Sequence, residues 1–213
     1  MLLRIHPVNP ELRKIKIVTD CLNDGGVIIY PTDTIYGLGC DIYNQKAIDK
    51  LCRIKGINPN KANLSILCYD FSHLSDFTAP IDTPVFRVMK KALPGPFTFV
   101  LRANNNVPKI FKNKKKSVGI RIPGNNIPKL IVQSLGHPIV TTSIHSDDEI
   151  TEYETNPEII YEKYNKLVDI VIDGGFGGNT PSTIIDSDVN PFESAPNTYA
   201  TVNISSSDIP PLR

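Results

Sequence analysis

The sequence predicts an α/β domain, a single open sheet with helices packed on it. Three observations carry this expectation. Amphipathic helical stretches alternate with short apolar runs as far as Asp186. No repeat of fixed period and no linker interrupts residues 1–186. With 213 residues, 40% hydrophobic and 21% charged, the chain is long enough to bury one sizeable core.

The elements follow in order. Asn9 and Pro10 are placed to start a helix over "ELRKIKIVTDCLND", which Gly25-Gly26 should stop. "VIIY" is a short buried strand. Asn44 is placed to cap "QKAIDKLCRIKG", where Ala47, Ile48, Leu51 and Ile54 share one face. "LSILCY" is a strand. Thr83-Pro84 opens "VFRVMKKAL", which "PGP" ends. "FTFVLRA" alternates as a strand does, and "SVGIRIP" is another. "NNIPKLIVQSLG" is a helix with Gly136 as its stop, followed by the strand "HPIVTTS". Asn156-Pro157 starts "EIIYEKYNKL", and "VDIVID" and "STIID" close the series around "GGFGG". From Ser187 the pattern weakens, so residues 187–213 are expected to form a loosely attached extension to a domain of residues 1–186.

Several function classes are excluded by composition. No apolar segment approaches the ~20 residues that span a bilayer, so no membrane association is expected. The net charge is +1 and announces no nucleic-acid binder. Cys21, Cys40, Cys52 and Cys68 form no Cys-Xaa-Xaa-Cys pair, which argues against zinc knuckles and thioredoxin chemistry. Such spacing, without a signal-peptide run, predicts free thiols in a reducing cytoplasm. Four scattered histidines support no zinc hydrolase, and no nucleophilic triad or carboxylate pair stands out.

Polar residues gather where strands end. Pro31-Thr32-Asp33-Thr34, Arg121-Ile122-Pro123, Thr141-Thr142-Ser143 and Asp173-Gly174-Gly175 follow four strands, and Ser182-Thr183 opens the last. Ligands of open α/β sheets sit beyond the carboxyl ends of strands, so these groups are expected to converge on one cleft. Hydroxyls and cations without a covalent nucleophile suit a ligand bearing phosphates and a small polar group. Nucleotidyl transfer is such a chemistry, often with Mg²⁺. Asp33 and Asp173 are candidates to hold the metal, or equally to orient turns. Gly37-Leu38-Gly39 is expected to be a turn. "GGFGGNTPST" lacks a P-loop lysine and suits a tight turn with positive φ. Lys55, at a helix end, is a phosphate or carboxylate ligand or simply a cation on the helix dipole. Lys109, Lys112, Lys114, Lys115, Lys116 and Arg121 form a basic cluster, either a phosphate-binding surface or a solvated loop.

"YPTDTIYGLGC", a helix ending in Lys55, "MKKALPGPFTFVLRA", "SVGIRIP", "HPIVTTS" and "STIID" occur in this order. The set resembles the YrdC/YciO family over roughly residues 10–186, and its texture is most similar to the YciO-like branch. The resemblance implies a YrdC-like fold, a twisted open sheet with a concave basic face. It implies L-threonylcarbamoyl-AMP synthesis from ATP, L-threonine and bicarbonate with release of pyrophosphate, for threonylcarbamoyladenosine in tRNA. Double-stranded RNA binding with little or no synthesis is the alternative, for which Lys112, Lys114, Lys115 and Lys116 are candidates.

By matching motifs, Thr32, Arg121 and Ser182 are implied to bind substrate, and Lys55 and Ser143 to bind ATP, with Mg²⁺ accompanying the nucleotide. Two positions depart from the family pattern. Ile57 stands where a Lys-Xaa-Arg motif places arginine, and His145 where Ser-Ala-Asn places asparagine. An isoleucine cannot supply the planar fork of a guanidinium.

Overall fold

The computed structural model describes residues 1–58, 64–108, 116–144 and 153–187. Its strands are β1 (Leu2–Arg4), β2 (Val27–Tyr30), β3 (Gly37–Asp41), β4 (Ser65–Leu67), β5 (Phe97–Arg102), β6 (Ser117–Arg121), β7 (Ile139–Ser143), β8 (Ile170–Asp173) and β9 (Thr183–Asp186). Its helices are α1 (Leu12–Asn23), α2 (Gln45–Lys55), α3 (Leu74–Phe77), α4 (Thr83–Ala92), α5 (Asn126–Leu135) and α6 (Pro157–Tyr164).

Local chemistry sets most helix ends. The Asn44 side chain accepts from the Ala47 N–H at 3.1 Å and Asn125 from the Ile127 N–H at 2.9 Å. Asn156 does the same for Glu158 at 2.9 Å. Each supplies an acceptor for an N–H that the first helical turn leaves unpaired. Gly136 closes α5 in the left-handed conformation, φ 80°. The expected start of α1 at Asn9-Pro10 is displaced. α1 begins after Glu11, whose carboxylate accepts from the His6 N–H and from Lys14 Nζ instead of capping the helix.

All nine strands join one sheet in the order β1-β8-β2-β3-β7-β4-β6-β5-β9. It is mixed. β3 is antiparallel to both β2 and β7, so these two run the same way, while the parallel pair β4 and β6 runs against them. Gly37-Leu38-Gly39, expected as a turn, is therefore strand, and the turn is Pro31–Tyr36.

Alternate strand residues feed two cores. Val27, Ile29, Leu38, Ile66, Val118, Val140 and Val171 face α2, α3, α4 and α6. Ile28, Tyr30, Leu67, Ile139, Ile170 and Ile172 face Ile15, Val18 and Leu22 of α1 and Ile127, Ile131 and Val132 of α5. Each such side chain, fully buried, contributes about 1.5–3 kcal/mol. Cys40, Cys52 and Cys68 are buried, and all four thiols are free.

The second face changes character away from α1 and α5. Gly39, Thr141, Ser65 and Gly119 lie side by side across β3, β7, β4 and β6, and Gly37 lies beside Ser143. The glycines of β3 have a specific cause. A Cβ on Gly37 would stand 3.0 Å from the Tyr30 ring, and one on Gly39 would stand 3.0 Å from it. The ring of Tyr30 crosses β3, and its hydroxyl bonds to Thr141 on β7. Burial pushes the phenol up to about 12, so it stays a neutral hydrogen-bonding group across the physiological range.

Gly39→Val is expected to destabilise the fold by about 1–3 kcal/mol through this crowding. Thermal or denaturant unfolding measures it, and in a Tyr30→Leu background the cost should shrink, since the ring is then gone.

Candidate functional site

The loop Pro31–Tyr36 joins β2 to β3 and carries a directed chain of hydroxyls. Thr32 Oγ1 accepts from the Thr34 N–H at 3.0 Å and donates to the Ile35 carbonyl at 2.7 Å. Its one proton is thereby used, so at 3.0 Å from Thr34 Oγ1 it must accept, and Thr34 donates. Thr34 Oγ1 in turn accepts from Arg121 Nη2 at 3.0 Å. Thr32 is 7% exposed and Thr34 4%.

Asp33 ties this loop to the turn after β6. Its Oδ1 stands 3.3 Å from Arg121 Nη2, and its Oδ2 accepts from the Gly124 N–H at 3.0 Å. The Arg121 and Asp33 side chains are 12% and 18% exposed. Arg121 Nε is buried without a partner, an orphaned donor of the kind native proteins rarely leave. Arg121 and Thr32 do come together, though not as co-directional strand ends, since β6 runs against β2. They meet because Arg121 lies on the same sheet face as Gly119, Thr141 and Tyr30, two residues along β6 from Gly119.

The glycine-rich loop after β8 supports Pro31–Tyr36 from behind. A Cβ on Gly178 would lie 2.6 Å from the Thr34 carbonyl, one on Gly177 2.7 Å from the Tyr36 ring, and one on Gly174 2.6 Å from Pro31. Gly175 holds φ 94°, as expected of a tight turn. Its N–H bonds to Asp173 Oδ1, that of Gly177 to the Thr155 carbonyl and that of Gly178 to the Thr34 carbonyl. Tyr36 Oη donates to the Gly175 carbonyl at 2.7 Å. These three amides are occupied, so they form no phosphate cradle.

The remaining expected residues fall into separate places. Lys55 Nζ reaches Ser143 Oγ at 3.3 Å, joining the end of α2 to the end of β7. Ser182 Oγ lies 2.8 Å from Thr98 Oγ1, on β5. Lys116 is exposed with φ 49°. Lys112, Lys114, Lys115 and His145 lie outside the described residues.

Asp173 binds Arg4 Nε at 2.8 Å and the Gly175 N–H, and Asp33 is engaged as above, so both orient turns, one of the two roles expected of them. Among the described residues no group of three His, Cys, Asp or Glu could hold a metal. Nor is any described helix long and apolar enough to cross a membrane.

Gly124, Tyr30 and Thr98 were not singled out from sequence, while Thr34 and Thr141 stood within the polar strand ends without a role of their own. The spacing of Thr32 and Thr34 was a signal for the hydroxyl turn, and Arg121 was expected near it, but nothing in the sequence pointed to the atoms that join them or to Gly124.

The Sua5_yciO_yrdC family, described as "Telomere recombination", matches residues 20–195. The chain belongs to this family. It is 39% identical to YciO of Escherichia coli K12 over 184 residues, covering 85% of this chain and 87% of that protein. The crystal structure of E. coli YciO aligns with a TM-score of 0.81, covering 87% of this chain and 89% of that one. A threonylcarbamoyl-AMP synthase of Coxiella burnetii is 28% identical over 168 residues, 78% of this chain and 89% of the synthase. P. abyssi Sua5, crystallised with L-threonine, shares the fold at 24% identity and a TM-score of 0.79, over 90% of this chain and 55% of that one.

Ile57 has a physical account. Gly56 takes φ 70°, its N–H bonds to the Arg53 carbonyl at 3.2 Å, and the Ile57 N–H bonds to the Cys52 carbonyl at 3.0 Å. This is the Schellman ending of α2, which favours an apolar residue after the glycine. Ile57 packs against the main core.

Thr32→Val removes both an acceptor and a donor from buried backbone groups and is expected to cost about 1–3 kcal/mol. Lys55→Ala, by contrast, should leave the unfolding midpoint almost unchanged, and if Lys55 is the phosphate ligand expected from the sequence it should weaken ATP binding. Parallel thermal melts and ATP calorimetry of the two variants check this division.

Proposed function

We propose that the chain binds L-threonine and ATP on the open face of the sheet and makes L-threonylcarbamoyl-AMP. The observation that carries this reading is Arg121, a buried guanidinium with an unpartnered Nε at the end of an ordered row of hydroxyls. A substrate carboxylate is the natural partner for such a group. The relationship to a threonylcarbamoyl-AMP synthase and the threonine held by P. abyssi Sua5 support the choice of amino acid.

The roles divide by position. Arg121 receives the threonine carboxylate, with Thr32 holding the loop that anchors it through Thr34. Ser182, beside Thr98, offers a hydroxyl to the same substrate. Lys55 and Ser143 meet the ATP phosphates, and Mg²⁺ arrives with the nucleotide. The threonine amine joins the bicarbonate carbon, with loss of water, to give a carbamate. A carbamate oxygen then displaces pyrophosphate from the α-phosphorus. Positioning and charge stabilisation supply the acceleration. With Ile57 in the core, one cation fewer faces the phosphates than in the family pattern, and a slow rate follows.

Pyrophosphate release should require ATP, threonine and bicarbonate together, and should fall by about tenfold or more in Lys55→Ala. No threonine-dependent signal at high enzyme concentration would overturn the proposal.

The position of Ile57 also favours a second reading, double-stranded RNA binding with little synthesis, through the lysines from Lys112 to Lys116. Binding of a fluorescent RNA duplex should then weaken steeply between about 50 and 200 mM salt, as counterion release demands. Absence of binding at low salt sinks it.

A further inference from the structure

We infer that Asp33 makes the Arg121 site selective for zwitterions. In this assignment an α-amino acid places its ammonium on Asp33 and its carboxylate on Arg121, and an otherwise identical simple anion is turned away. The inference rests on the amino-acid reading above and adds the group that recognises the amine.

The site holds one charge of each sign 3.3 Å apart, and both side chains are largely withdrawn from solvent. Solvent and salt therefore screen this pair less than a surface pair. The carboxylate is held in place by its second oxygen on the Gly124 N–H, so it stays beside the guanidinium rather than swinging out. A lone carboxylate docking on Arg121 would sit against this fixed negative charge, and like charges so juxtaposed are strongly disfavoured. A zwitterion instead lays its own dipole antiparallel to the Asp33–Arg121 dipole, and both of its charges find a partner.

The neighbouring groups point the same way. The Thr34 proton is directed at Thr32 and the Thr32 proton at the Ile35 carbonyl, so neither hydroxyl has a proton left for an anion. The amides of Gly175, Gly177 and Gly178 are occupied as well. Among these groups the donors come from Arg121 alone, while Asp33 retains acceptor capacity beyond Gly124 and Arg121. An unsaturated carboxylate beside hydroxyls whose protons are already committed suits a ligand that brings N–H groups of its own.

The test compares L-threonine with 3-hydroxybutanoate, which keeps the carbon skeleton, hydroxyl and carboxylate but lacks the amine. Calorimetry is run on the full chain with ATP–Mg²⁺ and without bicarbonate, so that no turnover follows. Wild type should prefer threonine by about tenfold or more. Asp33→Asn should erase that preference by weakening threonine and strengthening 3-hydroxybutanoate. Thr34→Val, which loosens the anchor of Arg121 but keeps both charges, should weaken the two ligands alike.

If wild type binds both ligands equally, or if Asp33→Asn keeps the wild-type ratio, the inference is overturned while the proposed function stands. If wild type binds neither ligand, both fall. The wild-type ratio is decisive by itself should Asp33→Asn fail to fold.

Discussion

The site depends on one tyrosine lying across one strand. Tyr30 ends β2, its ring covers Gly37 and Gly39 of β3, and its hydroxyl bonds to Thr141 on β7. Three strands are thereby locked at the point where the chain turns into Pro31–Tyr36. Two glycines lower the intrinsic stability of a strand, because they bury no side chain and lose much backbone entropy. The buried aromatic ring offsets this by supplying the packing that β3 lacks. It also fixes where Thr32, Asp33 and Thr34 begin, so the geometry of the hydroxyl row is inherited from the sheet.

A second constraint acts on the loop from behind. Gly174, Gly177 and Gly178 fit against Pro31, Tyr36 and Thr34 so closely that side chains would collide, and the amides of Gly175, Gly177 and Gly178 are taken by nearby acceptors. The segment lacks the lysine of a P-loop and, as its composition suits, turns tightly at Gly175. It acts as a brace for the turn opposite, which is why it is rich in glycine yet has no lysine. With those three amides occupied, the groups beside Pro31–Tyr36 that can meet a ligand are side chains, Arg121 and Asp33.

Much of the architecture was legible in the residues because it was local. Asn44 and Asn156 announced two helices through short-range capping, and Gly136 announced the end of a third. β3 was not legible, since Gly-Leu-Gly has poor strand propensity and becomes strand only with Tyr30 above it. Strand direction was not legible either. The expected convergence assumed that strands ending in polar residues point the same way, whereas β6 opposes β2 and β7. What unites Tyr30, Arg121 and Thr141 is a shared sheet face, a property of register between distant segments, and the loop that carries Thr32 and Thr34 reaches Arg121 from there. The pairing of Asp33 with Arg121 across 88 positions likewise has no local signature.

Ile57 shows how a departure from a family pattern can be read physically. Gly56 already commits the chain to a left-handed exit from α2, and the paired bonds to Arg53 and Cys52 direct the following residue back toward the helix. An apolar side chain there gains burial against the core, where a guanidinium would need a partner or a path to solvent. The helix ends with Lys55, whose ammonium reaches Ser143 at the end of β7. On the other flank, Arg121 is balanced by Asp33. The groups around Arg121 therefore carry both signs of charge, the feature on which the proposed recognition of a zwitterion rests.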